Sequence, residues 1–231
     1  MPKRATTNAV LSAAVISLLT VTGCSHSSPN TPEDKATSAS DSAQEAEPAA
    51  PLSSGQLEKQ LLDTSDLGEG YTLKPERPAG HDDMTVVGCP ALEKLGGDAA
   101  ASGTLDFQHR AKAAFSYAGG ADSEVTEELY SDTETKLSQG TRRIFEAMGS
   151  CPTYQVTDGS TPIEVTTQKT PVTKKGEERW GQLLTLTVAG RSSIIKQAAV
   201  RNGSILVVVS GSPGLVDTHL NKALHKAGAR S

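Results

Sequence analysis

Histidines and acidic pairs are the residues of this chain best suited to metal binding. His81-Asp82-Asp83 is the one local cluster with metal-ligand potential, although a solvated loop is the simpler interpretation. His219 and His225 stand six residues apart in a predicted helix, whereas side chains on one helix face meet at a spacing of about three or four. We therefore predict neither a metal site nor a cofactor.

The sequence carries no recognisable catalytic motif. Ser210-Gly211-Ser212-Pro213-Gly214 lacks the Gly-x-Ser-x-Gly spacing of a nucleophile elbow and is explained by a strand-to-helix turn. Phosphate-loop and dinucleotide patterns are missing from the sequence. Glu127 and Glu128 should point to opposite faces of a strand, and His109 falls on the apolar face of its strand, as a core or cleft histidine would. We assign no catalytic residue and predict a non-enzymatic protein.

Cys24 has a different chemistry. It ends the run Val21-Thr22-Gly23-Cys24, which resembles the lipobox of bacterial lipoproteins, and follows a basic start and an apolar stretch over residues 9–21. Thirteen residues are too few to span a bilayer, which needs about 20, but they suit a secretory signal. We predict a signal peptide over 1–23 and a diacylglyceryl group on Cys24. The alternative is an ordinary secretory signal that ends near a cysteine.

The stretch after Cys24 suits a tether. Residues 25–54 have no aromatic residue, and Leu52 is their only large aliphatic residue, so they cannot bury enough apolar surface to offset the entropy of ordering. A flexible segment of this length spans roughly 30 Å. We predict that the lipid on Cys24 and the segment 24–54 hold a folded domain, residues 55–231, at the extracytoplasmic face of the cell membrane.

Cys89 and Cys151 remain as an even pair in an exported chain, where disulfides form and persist. We predict a bond between them, which would close a loop of 62 residues. Two free thiols or a metal site are the alternatives, although neither cysteine has histidine-rich surroundings.

Composition excludes some partners. The formal charge is −5, and without Lys3 and Arg4 it is −7, from 20 basic and 27 acidic residues. Nucleic-acid binding needs clustered Lys and Arg, so we expect no such partner. Aromatic residues make up 3% of the chain. Domains that bind sugars or single-stranded nucleic acids by stacking usually expose more aromatic rings.

Strand patterns dominate the body. Residues 105–117 show a period-two alternation of apolar and polar residues, with Phe107 on the apolar face, and Gly119-Gly120 predicts a hairpin into 122–130. Further strands are predicted over 71–76, 163–168, 180–188, 194–200 and 205–209, the last wholly apolar and therefore central. Gly190-Arg191 and Asn202-Gly203 predict two-residue turns, and 78–88 reads as a loop.

Capping residues and helical spacing predict four helices. They begin near Ser53, Pro90, Asp132 and Ser212. Ser53 with Gln56 has capping-box spacing, and Pro213 would occupy the first position of the last helix. Helices on one largely antiparallel sheet make an α+β domain.

The body resembles the PknH-like extracellular sensor domains of actinobacteria and lipoproteins built on the same plan. The matching stretches are 61–71, Cys89-Pro90-Ala91-Leu92, the helix leading into Cys151, residues 201–210 and the closing helix. The resemblance implies an α+β domain with a cleft in a curved sheet that senses or binds something outside the cell. This chain has one cysteine pair where the kinase sensor domain has two, and it has a lipid site in place of a kinase.

Three functions follow as hypotheses. The first is a tethered, non-enzymatic domain that binds an unknown small molecule or envelope protein on the wet face or cleft of the sheet, near His109 and Tyr117. The second is a carrier of lipid or another apolar molecule, and the third is an envelope hydrolase. We assign no ligand contact to a named residue from the sequence.

Overall fold

The computed structural model describes residues 50–75, 84–96, 107–120, 123–173 and 176–228. The predicted signal peptide, Cys24, the tether as far as residue 49 and His81-Asp82-Asp83 lie outside the described residues.

One antiparallel sheet runs through the described residues. Its spatial order is β1-β3-β4-β9-β8-β7-β6-β5-β2. The strands are β1 (Tyr71–Lys74), β2 (Met84–Val87), β3 (His109–Tyr117), β4 (Glu124–Ser131), β5 (Thr153–Asp158), β6 (Thr161–Lys169), β7 (Glu178–Val188), β8 (Arg191–Asn202) and β9 (Ile205–Gly211).

Five helices pack on this sheet in the described part of the chain. They are α1 (Ser54–Glu58), α2 (Thr64–Leu67), α3 (Pro90–Glu93), α4 (Glu134–Ser150) and α5 (Pro213–Lys226). None of them combines the length and apolar character that a membrane span requires. The predicted α+β class, with an antiparallel sheet and helices packed on it, is confirmed.

The front face of the sheet is the face that carries Leu129, Val207 and Val209. Helices α1, α2 and α5 cover it over β3, β4, β8 and β9, burying Leu57 and Leu220 against the strands. Burying such side chains is worth about 1.5–3 kcal/mol each, so this core anchors the N-terminal and C-terminal helices together.

The back face carries Tyr130, Leu206 and Val208 and is covered by α4, whose first half packs there through Leu137. The second half of α4, together with α3, covers β5, β6 and β7. Ile144 of α4 packs in this part of the core. The Cys89–Cys151 disulfide joins the residue before α3 to the residue after α4, with 5.7 Å between the Cα atoms. The predicted disulfide is confirmed.

Two strands differ from the sequence prediction. Met84–Val87 was predicted to lie in a loop but forms the edge strand β2, and Thr153–Asp158 was not predicted but forms β5. The two pair with each other. Each is short, and much of its stabilisation comes from the neighbouring strand, which local sequence does not reveal.

Both predicted turns are wrong by one residue. Val188 pairs with Arg191, so the turn residues are Ala189 and Gly190, with φ angles of 48° and 78°. Asn202 pairs with Ile205, so that turn consists of Gly203 and Ser204 instead. Strand register is set by which side chains are buried, and here it overrides local turn preference.

Two further predictions need correction. Thr133, not Asp132, caps α4, since its side chain accepts the N–H of Lys136. Asp132 instead accepts the backbone N–H of Gln108 at 2.9 Å, which ties the entry of β3 to α4. Phe107 precedes β3 and packs edge-on against Tyr130, so it belongs to the back core and not to the apolar face of β3.

The remaining helix starts agree with the prediction. Gln56 accepts the N–H of Ser53 at 2.9 Å, as in a capping box. Pro90 and Pro213 occupy the first turns of α3 and α5. The opening helix is interrupted between Glu58 and Thr64, which makes two one-turn helices.

Candidate functional site

Part of the front face lies beyond the reach of α5 and is open to solvent. We call it the threonine face; it spans β2, β5, β6, β7 and the start of β8. Its residues are Thr85, Val87, Thr153, Gln155, Thr157, Glu164, Thr166, Gln168, Leu183, Thr185, Thr187, Ile194 and Lys196. Most of them are uncharged hydrogen-bonding side chains, so this face offers donors and acceptors with little net charge.

Threonines stand in register across three strands of this face. Thr153 pairs with Thr166, and Thr166 pairs with Thr185, which in turn is opposite Ile194. Adjacent strands lie about 4.8 Å apart, so the three hydroxyl groups form a row with that repeat. A row of this kind can hydrogen-bond to a flat or extended ligand at several points.

The chain segment 170–172, which we call the strap, borders one end of the threonine face. Thr170 donates its N–H to the Gly181 carbonyl at 2.9 Å. A Cβ atom on Gly181 would lie 2.7 Å from the Thr170 carbonyl oxygen and from Val172 Cγ2. Glycine therefore lets the strap lie against the sheet, and Val172 packs on the front core.

An ion pair forms the border of the threonine face that lies toward α5. Lys196 Nζ lies 2.5 Å from Asp217 Oδ1, which joins β8 to the helix. Glu164 is exposed and has no ionic partner among the described residues. Because Lys196 is neutralised by Asp217, one free carboxylate is the main charge that a ligand on the described part of this face meets.

His109 and Tyr117, the residues predicted to lie near the site, stand at opposite ends of β3. They are eight positions apart along an extended strand, a distance of about 26 Å, so they do not share one site. Tyr117 instead stacks on Tyr71 with ring centroids 4.6 Å apart. The Tyr71 hydroxyl lies 2.6 Å from His219 Nε2 on α5.

Burial shifts the ionisation of this aromatic cluster. Burial raises the pKa of Tyr71, while burial, together with the Lys222 charge, lowers the pKa of His219. Both shifts favour the neutral forms of the two side chains. We interpret the cluster as packing that secures α5 on β1 and β3.

Glu127 and Glu128 do point to opposite faces, as predicted, and both are buried. Glu128 accepts the Tyr130 hydroxyl at 2.8 Å and pairs with Lys112 on the back face. Glu127 accepts the Leu62 backbone N–H at 2.6 Å under α1 and α2. The separation by the sheet prevents them from acting as an acid–base pair.

The described residues contain no group of three His, Cys, Asp or Glu side chains arranged to hold a metal ion. Of the histidines described, His109 lies on β3 and His219 and His225 on α5. Within the described part of the chain, the two cysteines are the only predicted chemistry-bearing residues that the structure brings together.

The arrangement defines an α+β domain built on a single antiparallel sheet with an exposed polar face. The same fold occurs in the crystal structure of the extracellular domain of PknH from Mycobacterium tuberculosis. The TM-score is 0.57 at 16% sequence identity, and the match covers 78% of this chain and 98% of that one. No family model matches the sequence, and no curated protein matches it.

Sequence reasoning missed the threonine face. Its members come from five strands, and β2 and β5, which contribute Thr85 and Thr153, were not predicted as strands. The available signal was the alternation of threonine with aliphatic residues over 183–188, which marks one wet face.

Proposed function

We propose that this protein is a lipoprotein held at the outer face of a membrane by diacylglycerol on Cys24, and that its folded domain binds a ligand or partner without catalysis. The lipobox over residues 21–24 and the polar segment after it support the anchor. The Cys89–Cys151 disulfide supports an oxidising compartment outside the cytoplasm.

The threonine face is the observation that carries the binding half of this proposal. Its polar side chains are exposed or half-buried on the sheet, and their hydroxyl row follows the strand spacing. Sites built on strands hold their groups more precisely than sites on loops. The ligand that suits it is extended and largely uncharged, with hydroxyl or amide groups along its length.

Electrostatics favour binding over catalysis. The threonine face carries Glu164 but no histidine among its described members, so an acid and a base do not converge on it. The strongly shifted carboxyl, Glu127, is enclosed beneath helices away from this face. The extracellular position named for the PknH domain agrees with the proposed location.

The mature chain carrying Cys24→Ser provides a water-soluble test protein with an unchanged body. Amide NMR spectra are recorded while uncharged oligosaccharides and end-capped peptides are added in turn. We expect shift changes confined to the threonine face for one of these classes, because exposed polar groups repeat in register there. Native mass spectrometry of the natural chain, extracted from the membrane fraction of its own cells, checks for a bound small molecule.

The variant Thr166→Arg/Thr185→Arg places two long cations in the middle of the hydroxyl row and should abolish the shifts. Thr135→Arg introduces the same side chain at an exposed position of α4 and should leave them unchanged. Shifts that persist in the double variant, or that cluster on another surface, would contradict the assignment. A co-purified apolar lipid would favour the carrier hypothesis instead.

A further inference from the structure

A buried carboxyl group lies beneath the N-terminal helices. Glu127 is 1% exposed on β4 and points into the front core. Its Oε2 atom accepts the backbone N–H of Leu62, at the junction of α1 and α2, at 2.6 Å. Its Oε1 atom is buried with no hydrogen-bond partner among the described residues. The carboxyl therefore has one donor for two oxygens, which suits the protonated acid better than the anion.

The surroundings of Glu127 offer the anion little compensation. Its neighbours directly across the sheet, Ala113 on β3 and Val209 on β9, are uncharged. Burial raises the pKa of Glu127 from 4.5 to about 7, against the opposing effects of the Leu62 N–H and of Lys226 on α5, while Asp66 on α2 adds to the rise. The group consequently changes charge in the neutral range.

Other contacts hold the same N-terminal segment from outside. The N–H of Leu52 bonds to Ser131 Oγ at 2.8 Å. Lys226 pairs with Asp63 and Asp66, and Lys222 donates to the Asp66 carbonyl. Two helices of a single turn each have little stability of their own, so residues 54–67 depend on these contacts and on burial of their leucines.

We propose that Glu127 is a pH-sensitive latch for the segment 54–67. As an acid it lets the segment dock on the sheet through Leu62. As a carboxylate it needs donors for both oxygens, which water can supply only if the segment lifts. The body of the sheet stays folded, because β3, β4 and β9 keep their pairing on both sides of Glu127. The latch would thus adjust how firmly the chain is held where it leaves the domain toward residue 24.

Hydrogen–deuterium exchange of the mature chain at about pH 5.5 and about pH 8.5, corrected for intrinsic exchange rates, measures the latch directly. We expect peptides covering 54–67 to lose protection by about tenfold at the higher pH, an opening that local unfolding can produce, while β8 and β9 peptides do not change. Glu127→Gln, which cannot ionise, should abolish the difference.

Glu128→Gln is the matched control, because it alters the neighbouring buried carboxyl on the back face and should retain the pH effect. A pH effect that survives in Glu127→Gln, or that spreads evenly over all peptides, would overturn the proposal. If Glu127→Gln does not fold, carbon NMR titration of the unmodified chain decides: a Glu127 carboxyl that titrates near its usual 4.5 would also overturn it.

Discussion

Cys89 and Cys151 are covalently joined although 62 positions separate them in sequence. Cys89 precedes α3 and Cys151 follows α4, so the bond lies at the edge of the sheet where β2 pairs with β5. Cys89 is fully buried in the core formed by α3, α4 and the back face. The edge of the domain therefore depends on this bond as well as on packing.

Removal of the disulfide should destabilise the domain more than any single surface change. Cys89→Ala/Cys151→Ala restores the freedom of a 62-residue loop in the unfolded chain, which costs up to about 4 kcal/mol. Urea unfolding with and without reductant measures this. The unfolding midpoint of the double variant should not change when reductant is added. An unchanged midpoint for the natural chain after reduction would argue against a stabilising bond.

Gln182 and Gln197 form a buried pair whose members should prove strongly coupled. Gln182 Nε2 donates to Gln197 Oε1 at 2.7 Å and contacts Met148 Sδ at 3.1 Å. Gln197→Leu leaves the Gln182 amide without its acceptor and should cost about 1–3 kcal/mol, whereas replacing both glutamines by leucine should recover much of that loss. Chemical unfolding of Gln182→Leu, Gln197→Leu and the double leucine variant gives the coupling energy. Simple additivity would show that the pair does not interact.

Gly211 and Gly214 should respond in opposite directions to alanine. Gly211 has φ 137°, and a Cβ there would collide with the Glu124 carbonyl of the paired strand, so Gly211→Ala should cost about 1–3 kcal/mol. A Cβ on Gly214, in the first turn of α5, meets nothing within 4 Å. Gly214→Ala should therefore stabilise by about 0.4–1 kcal/mol. Thermal unfolding compares them, and equal effects would contradict the described backbone.

Much of this fold follows from the sequence because its longest elements are strongly periodic. The alternation over β3 and the helical spacing of α4 and α5 each repeat over several turns or pairs, so burial and local preference agree. The short strands β2 and β5 have no such repeat. Their strand conformation depends on each other and on Val86 and Val156 reaching the back core.

The candidate site was less accessible to sequence reasoning than the fold. Thr153, Thr166 and Thr185 become neighbours only through strand order and register, and no local motif encodes either. From the sequence alone, Glu127 is interpreted as a polar residue in a strand. Its burial follows from helices α1 and α2 folding over β4, which is a tertiary effect. The disulfide could be predicted because Cys89 and Cys151 are the two cysteines that remain once Cys24 is assigned to the lipid. Their pairing therefore required no knowledge of the fold.

The pH dependence of stability should carry the signature of Glu127. Its folded-state pKa of about 7 exceeds the ordinary 4.5, so its contribution is complete below pH 4.5 and declines as pH rises to 7, by roughly 3 kcal/mol at most. His219 acts oppositely, because its lowered pKa favours the folded state above 6.5 and not in acid. The difference in unfolding free energy between the natural chain and Glu127→Gln, followed against pH, isolates the Glu127 part. A difference that does not change with pH would contradict the raised pKa.

The proposed membrane location depends on lipid attachment at Cys24. The mass of the mature N-terminal peptide tests this attachment most directly. Peptides from the membrane fraction of cells that express the full chain are analysed by mass spectrometry. We predict that the mature protein begins at Cys24 and carries a diacylglyceryl group there, and that Cys24→Ser releases the domain from the membrane. An N-terminus at another residue, or an unmodified Cys24 in a membrane-bound protein, would contradict the proposed anchoring.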